Sequence, residues 1–201
     1  MKTSKLIIGL GAVAVLGACS GSNEGVVPMF DSRVAAANAA VADGSRIAAL
    51  GLTSPTDIPT MGSAVYEGVI LISDDDRGDV NASLAGGLVV EVDFAESGNV
   101  TGMAGNLRDI DDTKIDGSLA ISDVQFGAGT NGGGFAARLS GQLRGVGPDN
   151  SPRDFNYQML LQQFYYGDDA EAMLGEITGT ATPTDRTFPE EVTGLTRVDR
   201  R

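Results

Sequence analysis

The side chains able to do chemistry are few and unevenly placed. The chain has no histidine and no tryptophan, and its single cysteine is Cys19. Without histidine, the Ser-His-Asp and Cys-His nucleophile arrangements, histidine metal sites and histidine-held haem are excluded. A carboxylate pair of the glycosidase kind stays open because acids are abundant, but no acid stands isolated in a strongly apolar run where its pKa would rise. No catalytic residue, cofactor or metal is therefore assigned, and the protein is expected not to be an enzyme. Two acidic clusters, Asp74-Asp75-Asp76 with Asp79 and Asp109-Asp111-Asp112 with Asp116, carry oxygens that could hold calcium. Neither has the spacing of an EF-hand loop, and the favoured reading is solvated hairpin tips whose charge discourages edge pairing. Residues 127–132 fit G-x-G-x-x-G after an expected strand. The next element is another expected strand, so no helix N-terminus is offered to a pyrophosphate. Arg77-Gly78-Asp79 is a chance tripeptide in an acidic turn, and Arg138 and Arg144 share the wet face of one strand.

Cys19 is different, because its surroundings are ordered. Lys2 and Lys5 form a short basic start, Leu6 to Leu16 is an apolar stretch, and small residues lead up to the cysteine. The stretch is too short to span a bilayer as a helix, which takes about 20 apolar residues. The order of charge, apolar run and small residues reads as a secretory signal. Its end, Leu16-Gly17-Ala18-Cys19, resembles the lipobox of bacterial lipoproteins, in which the thiol is alkylated with diacylglycerol before cleavage leaves it N-terminal. A lone cysteine has no intrachain disulfide to compete with that fate. The alternatives are an ordinary signal peptide or a core helix with a stray thiol. The resemblance implies a signal peptide over residues 1–18, palmitate-type acylation of Cys19, and a membrane held through that anchor. Ser20 stands where aspartate commonly marks inner-membrane retention, so the same resemblance implies the outer membrane of a Gram-negative bacterium, with the leaflet left open.

Composition bounds the rest. The formal charge is -13 over 201 residues, and loss of Lys2 and Lys5 with the signal would take it to -15. Such a surface repels phosphate backbones, so nucleic acid is excluded as an expected partner. It would suit a basic protein or metal cations, although solubility alone accounts for it. The 28 glycines and scarce aromatics favour many short strands joined by turns.

Along the chain, residues 19–31 read as a Gly/Ser/Asn-rich lipidated tether. Residues 32–60 read as a helical segment and linker, capped by Asp31 or Ser32, with Asp43-Gly44-Ser45 leaving open whether there is one helix or two. From Met61 the period becomes two. Phe135, Ala137, Leu139, Gly141 and Leu143 alternate with Ala136, Arg138, Ser140, Gln142 and Arg144; Leu88, Val90, Val92 and Phe94 alternate with Val89, Glu91, Asp93 and Ala95. Further strands are expected at 65–73, 99–107, 115–126, 154–163 and 174–182, with turn signals between them. Seven or eight antiparallel strands argue for an all-β sandwich or, as the preferred fold, an up-and-down β-barrel over residues 61–182. Residues 183–201 read as a charged, loosely ordered tail.

Phe164-Tyr165-Tyr166-Gly167-Asp168-Asp169-Ala170-Glu171-Ala172-Met173-Leu174-Gly175 is similar to the last strand crossing of the β-barrel domain in transferrin-binding protein B and its relatives. There an aromatic-Gly turn, a short helical segment and a glycine-started final strand lock the barrel shut. Tyr66-Glu67-Gly68, and Val92-Asp93-Phe94 leading to Asn99-Val100-Thr101-Gly102, agree with it. The resemblance implies that Phe164, Tyr165, Gly167, Ala170, Glu171 and Gly175 are barrel-closing residues and not ligand contacts. Asp168 and Glu176 depart from the family's proline and double glycine. The chain has room for one barrel and a helical preface, where the family has two lobes with separate handle domains. Transferrin binding therefore does not transfer with the fold. The expected function is an outer-membrane lipoprotein presenting a barrel for non-catalytic binding of a protein or scavenged ligand. The alternatives are a structural or assembly lipoprotein of the envelope and a lipocalin-like small-molecule carrier.

Overall fold

The computed structural model describes residues 26–73, 83–95, 98–127, 133–146, 152–185 and 188–201. Cys19, the apolar run before it, Asp74 to Asp79 with the Arg-Gly-Asp tripeptide, and residues 128–132 lie outside the described residues. The elements run in the order α1 (Arg33–Leu50), β1 (Ser63–Ser73), β2 (Leu84–Asp93), β3 (Val100–Arg108), β4 (Asp116–Phe126), β5 (Gly134–Val146), β6 (Pro152–Tyr166), a single 3-10 turn (Asp168–Ala170), β7 (Ala172–Pro183) and β8 (Glu190–Arg200). Every strand pairs antiparallel with the next, and β8 returns to β1, so the sheet is a closed eight-stranded up-and-down barrel.

Two-residue alternation decides which side chains enter. Leu88, Val90, Val92 and Phe94 of the β2 region point inward with Phe135, Ala137, Leu139 and Leu143 of β5, and all belong to one buried cluster. Tyr66, Ile70, Ile72, Leu119, Leu161, Tyr165, Met173, Ile177 and Val198 complete it from other strands. Burying each large apolar side chain contributes about 1.5–3 kcal/mol relative to leaving it in water. The outward residues of β5, Arg138, Gln142 and Arg144, are exposed, as the alternation requires. Arg138 lies 3.5 Å from Asp123 and Arg144 3.8 Å from Asp154, so both arginines meet acids on neighbouring strands of this same chain.

Three expectations are corrected. The loosely ordered tail over 183–201 is replaced by the end of β7 and the whole of β8, which pairs with β1 from Tyr66↔Arg200 to Ser73↔Thr193. Its inward residues, Val192, Gly194, Thr196 and Val198, are all buried, and the charges of Arg197 and Asp199 sit on the opposite side. The crossing at Phe164 to Gly175 consequently leads into the penultimate strand, and Gly175 lies inside β7 rather than at its start. The tether over 19–31 is shorter than expected at its described end, because residues 27–30 lie against the outer wall of β2 and β3. Asn106 Nδ2 donates to the carbonyls of Val27 (3.0 Å) and Pro28 (3.3 Å), and Arg108 Nε to that of Phe30 (3.3 Å). The strap lies so close to β2 that a Cβ on Gly87 would stand 2.1 Å from Pro28 O.

Helix α1 follows the strap. Ser32 Oγ accepts from Ala35 N (3.0 Å), the cap expected at this position, and Asp112 accepts from Arg33 N at the positive end of the helix. The helix runs unbroken through Asp43, Gly44 and Ser45. A Cβ on Gly44 would stand 2.8 Å from Arg197 Nε, so glycine leaves room for the arginine side chain in its present position. Ala36, Ala37 and Ala40 pack on Val69, Leu71 and Ala85, the outward apolar residues of β1 and β2. A chain ending at Pro189 would leave one edge each of β1 and β7 unpaired. We expect it to lose the cooperative urea transition of the full chain, followed by far-UV circular dichroism.

Candidate functional site

The densest convergence of side-chain and backbone contacts lies at the β6–β7 connection. Tyr165, at the end of β6, is buried, and its ring centroid lies 6.0 Å from that of Phe94, 6.3 Å from Phe135 and 6.4 Å from Tyr66. Four aromatic rings therefore close this end of the interior at distances typical of favourable tilted pairs. Gly167 then turns the chain with φ +80°, and Asp169 and Ala170 both adopt φ +56°. Left-handed backbone is unfavourable for alanine and persists only where surrounding contacts hold it.

Those contacts are long in sequence and short in space. Tyr66 OH donates to Ala170 O (2.7 Å), joining the connection to β1. Arg200 joins it to β8, donating from its backbone N to Glu171 O (2.8 Å) and from Nη1 to Asp169 O (2.9 Å). The residues after α1 join from outside. Gly167 N donates to Gly51 O (3.0 Å), Thr53 Oγ1 to Gly167 O (2.7 Å) and Thr53 N to Tyr165 O (2.9 Å). The connection thus ties β1, β6, β7, β8 and the end of α1 together.

Of the residues singled out in the sequence, Tyr165, Gly167, Ala170 and Glu171 take part directly through these bonds. Gly175 acts one layer further in, opposite Gln163 on β6 and Thr196 on β8. A Cβ there would stand 2.3 Å from Thr196 Oγ1 and 2.5 Å from Gln163 Oε1, so glycine makes room for the buried Gln163–Thr196 hydrogen bond of 2.8 Å. Phe164 points the other way, into an outer cleft of about 330 Å³ that it shares with Leu52, Tyr166, Leu174, Leu195 and Arg197. Burial pushes the Arg197 guanidinium below its usual pKa, and its Nη1 donates to Thr196 O at 2.6 Å. Sequence reasoning missed Thr53, Tyr66 as a hydrogen-bond donor, and Arg200. Their partners lie 114, 104 and 31 residues away, a separation that leaves no local pattern.

The acidic cluster at Asp109 is used internally. Asp109 Oδ1 accepts from the backbone N of Asp111 (2.9 Å) and Thr113 (2.8 Å), and Asp112 is engaged at the start of α1. This is the turn chemistry of a short aspartate rather than a ligand shell. Gly127 N donates to Gly134 O (2.9 Å), so the described ends of the glycine-rich segment form a hairpin between β4 and β5. Among the described residues, no helix is long and apolar enough to cross a membrane.

No family model matches the chain, and no curated protein does. Among solved structures it is similar to transferrin-binding protein B of Haemophilus parasuis Hp5, a vaccine antigen crystallised as a point mutant. The identity is 18%, the TM-score 0.35, and the match covers 75% of this chain and 29% of that one.

Burial raises the hydroxyl pKa of both Tyr66 and Tyr165; in the first Arg200 opposes the rise, and in the second Tyr66 adds to it. The unfolded chain releases these protons near pH 10, the ordinary tyrosine value, whereas the folded chain keeps them. The stability they contribute is therefore complete below about pH 10 and falls as pH rises beyond it. Urea midpoints across that range check the sign. Tyr66→Phe, which strands the Ala170 carbonyl, is expected to cost about 1–3 kcal/mol. Tyr165→Phe removes a buried hydroxyl that has no partner among the described residues, and is expected to leave the midpoint unchanged or raise it.

Proposed function

We propose that this chain is an outer-membrane lipoprotein, acylated on Cys19, that presents its barrel for non-catalytic binding of a protein or scavenged ligand. The observation that carries the reading is the barrel's polarity. Membrane-spanning barrels face lipid with apolar side chains and keep a polar lumen. Here the interior is dominated by one apolar cluster, and the exposed residues of β4 and β5 include Ser118, Ser122, Gln125, Arg138, Gln142 and Arg144. A barrel of this polarity belongs in water, so its attachment to lipid depends on something outside it. The order of Lys2, Lys5, the apolar run and Leu16-Gly17-Ala18-Cys19 supports a covalent anchor. One acyl chain holds a protein only marginally, whereas the two or three of a bacterial lipoprotein hold it firmly.

The same polarity bears on the mode of binding. Phe94, Phe135, Leu139 and Leu143 are all buried and fill the interior, which favours an outer-surface contact over a lipocalin-like lumen. The resemblance to transferrin-binding protein B supports the barrel and the envelope setting, and the partner stays a protein or small ligand of unassigned identity.

Two measurements test the proposal. Expressed in a Gram-negative host, the chain is expected to incorporate labelled palmitate and enter the detergent phase on Triton X-114 separation. Cys19→Ser is expected to lose the label and move to the aqueous phase, and unchanged partitioning would overturn the anchor. Protease added to intact cells is expected to cut the barrel. Protection until the outer membrane is broken would assign it to envelope assembly instead.

A further inference from the structure

The strap and α1 together give the barrel two unlike sides. Residues 27–30 are pinned to β2 and β3 by Asn106 and Arg108, and α1 covers β1 and β2 beside them. Most of what these two segments turn away from the barrel is apolar, although Asp31 and Arg46 are exposed on them as well. Val26 is 73% exposed, Met29 81%, Val34 51% and Val41 51%, and Asn38 and Ala42, four and eight residues on from Val34, are exposed with the two valines. A mainly apolar face on a chain of net charge -13 marks a contact surface that suits an apolar or interfacial partner better than a basic one.

The length of chain outside the described residues says what that partner is. If Cys19 carries the anchor, only six residues, Ser20 to Gly25, separate it from Val26. A link of that size reaches about 25 Å at most, even at full extension. The link leaves from Val26, at the edge of the apolar face. The opposite wall, carrying Arg138, Gln142 and Arg144, is therefore held away from the lipid.

The geometry points to the outward face formed by Val26, Met29, Val34 and Val41 as a lipid-facing surface, resting on phospholipid headgroups and turning the β4–β6 wall outward for contact. The inference rests on the anchor reading. It adds an orientation that anchoring alone does not supply, since a long free tether would let the barrel tumble.

Cys19 is the only cysteine and is blocked once acylated, so a single introduced cysteine can be labelled cleanly. The acylated full chain, carrying Val41→Cys or Gln142→Cys with a bimane label, is reconstituted into phosphatidylethanolamine–phosphatidylglycerol vesicles. Flotation confirms attachment. The label at position 41 is expected to be quenched by brominated lipid and to lose about threefold in iodide accessibility relative to the detergent-solubilised protein, while the label at 142 changes little. Adding Val34→Asp to the Val41→Cys chain is expected to restore iodide access at 41 without altering the far-UV spectrum, because residue 34 is on the exposed side of the helix. Equal iodide access at 41 and 142 in protein that floats would overturn the orientation while leaving the anchor intact. Failure to float would overturn both. A disulfide between unlabelled Val41→Cys copies on the vesicle, formed in preference to lipid contact, would assign the face to a second copy and overturn the lipid assignment.

Discussion

Pairing of β8 with β1 is the constraint on which the rest depends. Eight consecutive residues of β1, Tyr66 to Ser73, are matched across it. Without it the sheet has two open edges, and an open apolar sheet is an aggregation template. With it, every inward side chain faces others across a narrow lumen, and a barrel of about eight strands is just wide enough for side chains to fill. Filling in turn fixes register. A slip of one residue in β5 would send its leucines and phenylalanine to the outside and bring arginine, glutamine and serine inside.

The β6–β7 connection shows how closure is enforced at one end. Ala170 is held in a left-handed conformation that it would not adopt alone, and the hydrogen bond from Tyr66 makes its carbonyl part of the β1 wall. Arg200, the last residue of β8, reaches the two residues that flank Ala170, Glu171 through its backbone and Asp169 through its side chain. The two strands that must meet for closure are therefore both bound to the one turn between β6 and β7. Local backbone strain is offset by contacts that exist only when β1 and β8 are already adjacent. That makes the turn a reporter of correct closure as well as a part of it.

Legibility in the sequence followed contrast between the two faces. β5 was readable because leucine and phenylalanine alternate with arginine and glutamine. β8 was not, because its inward set, Val192, Gly194, Thr196 and Val198, is small and half polar, while its outward set carries Arg197 and Asp199. The inward residues are small for a physical reason: Thr196 bonds Gln163 inside the barrel, and a Cβ on Gly194 would meet Leu71 O at 2.3 Å. The same weakness hid the strap. A short stretch around one proline looks like linker by composition, and only the facing wall, with Gly87 and Asn106, reveals that it is docked. The closing motif was legible through resemblance, whereas its partners Thr53, Tyr66 and Arg200 were not, since their roles exist only in the assembled barrel.

A packed lumen also constrains how such a protein can act. Among the described residues the interior is occupied by large buried side chains such as Phe135, Leu139, Leu161 and Tyr165, which favours selectivity written on the outside. The outside here is already divided. Beta strands β1 to β3 are covered by the strap and the helix, and the β6–β8 wall meets the end of α1 at the cleft around Arg197. The β4–β5 wall is left bare, polar and stitched by exposed ion pairs that contribute little to stability. Charges that do little for the fold can change without unfolding it. The wall least committed to stability is thus the one most able to vary with a partner, while the glycine-dependent and left-handed positions of the closing turn hold the frame constant beneath it.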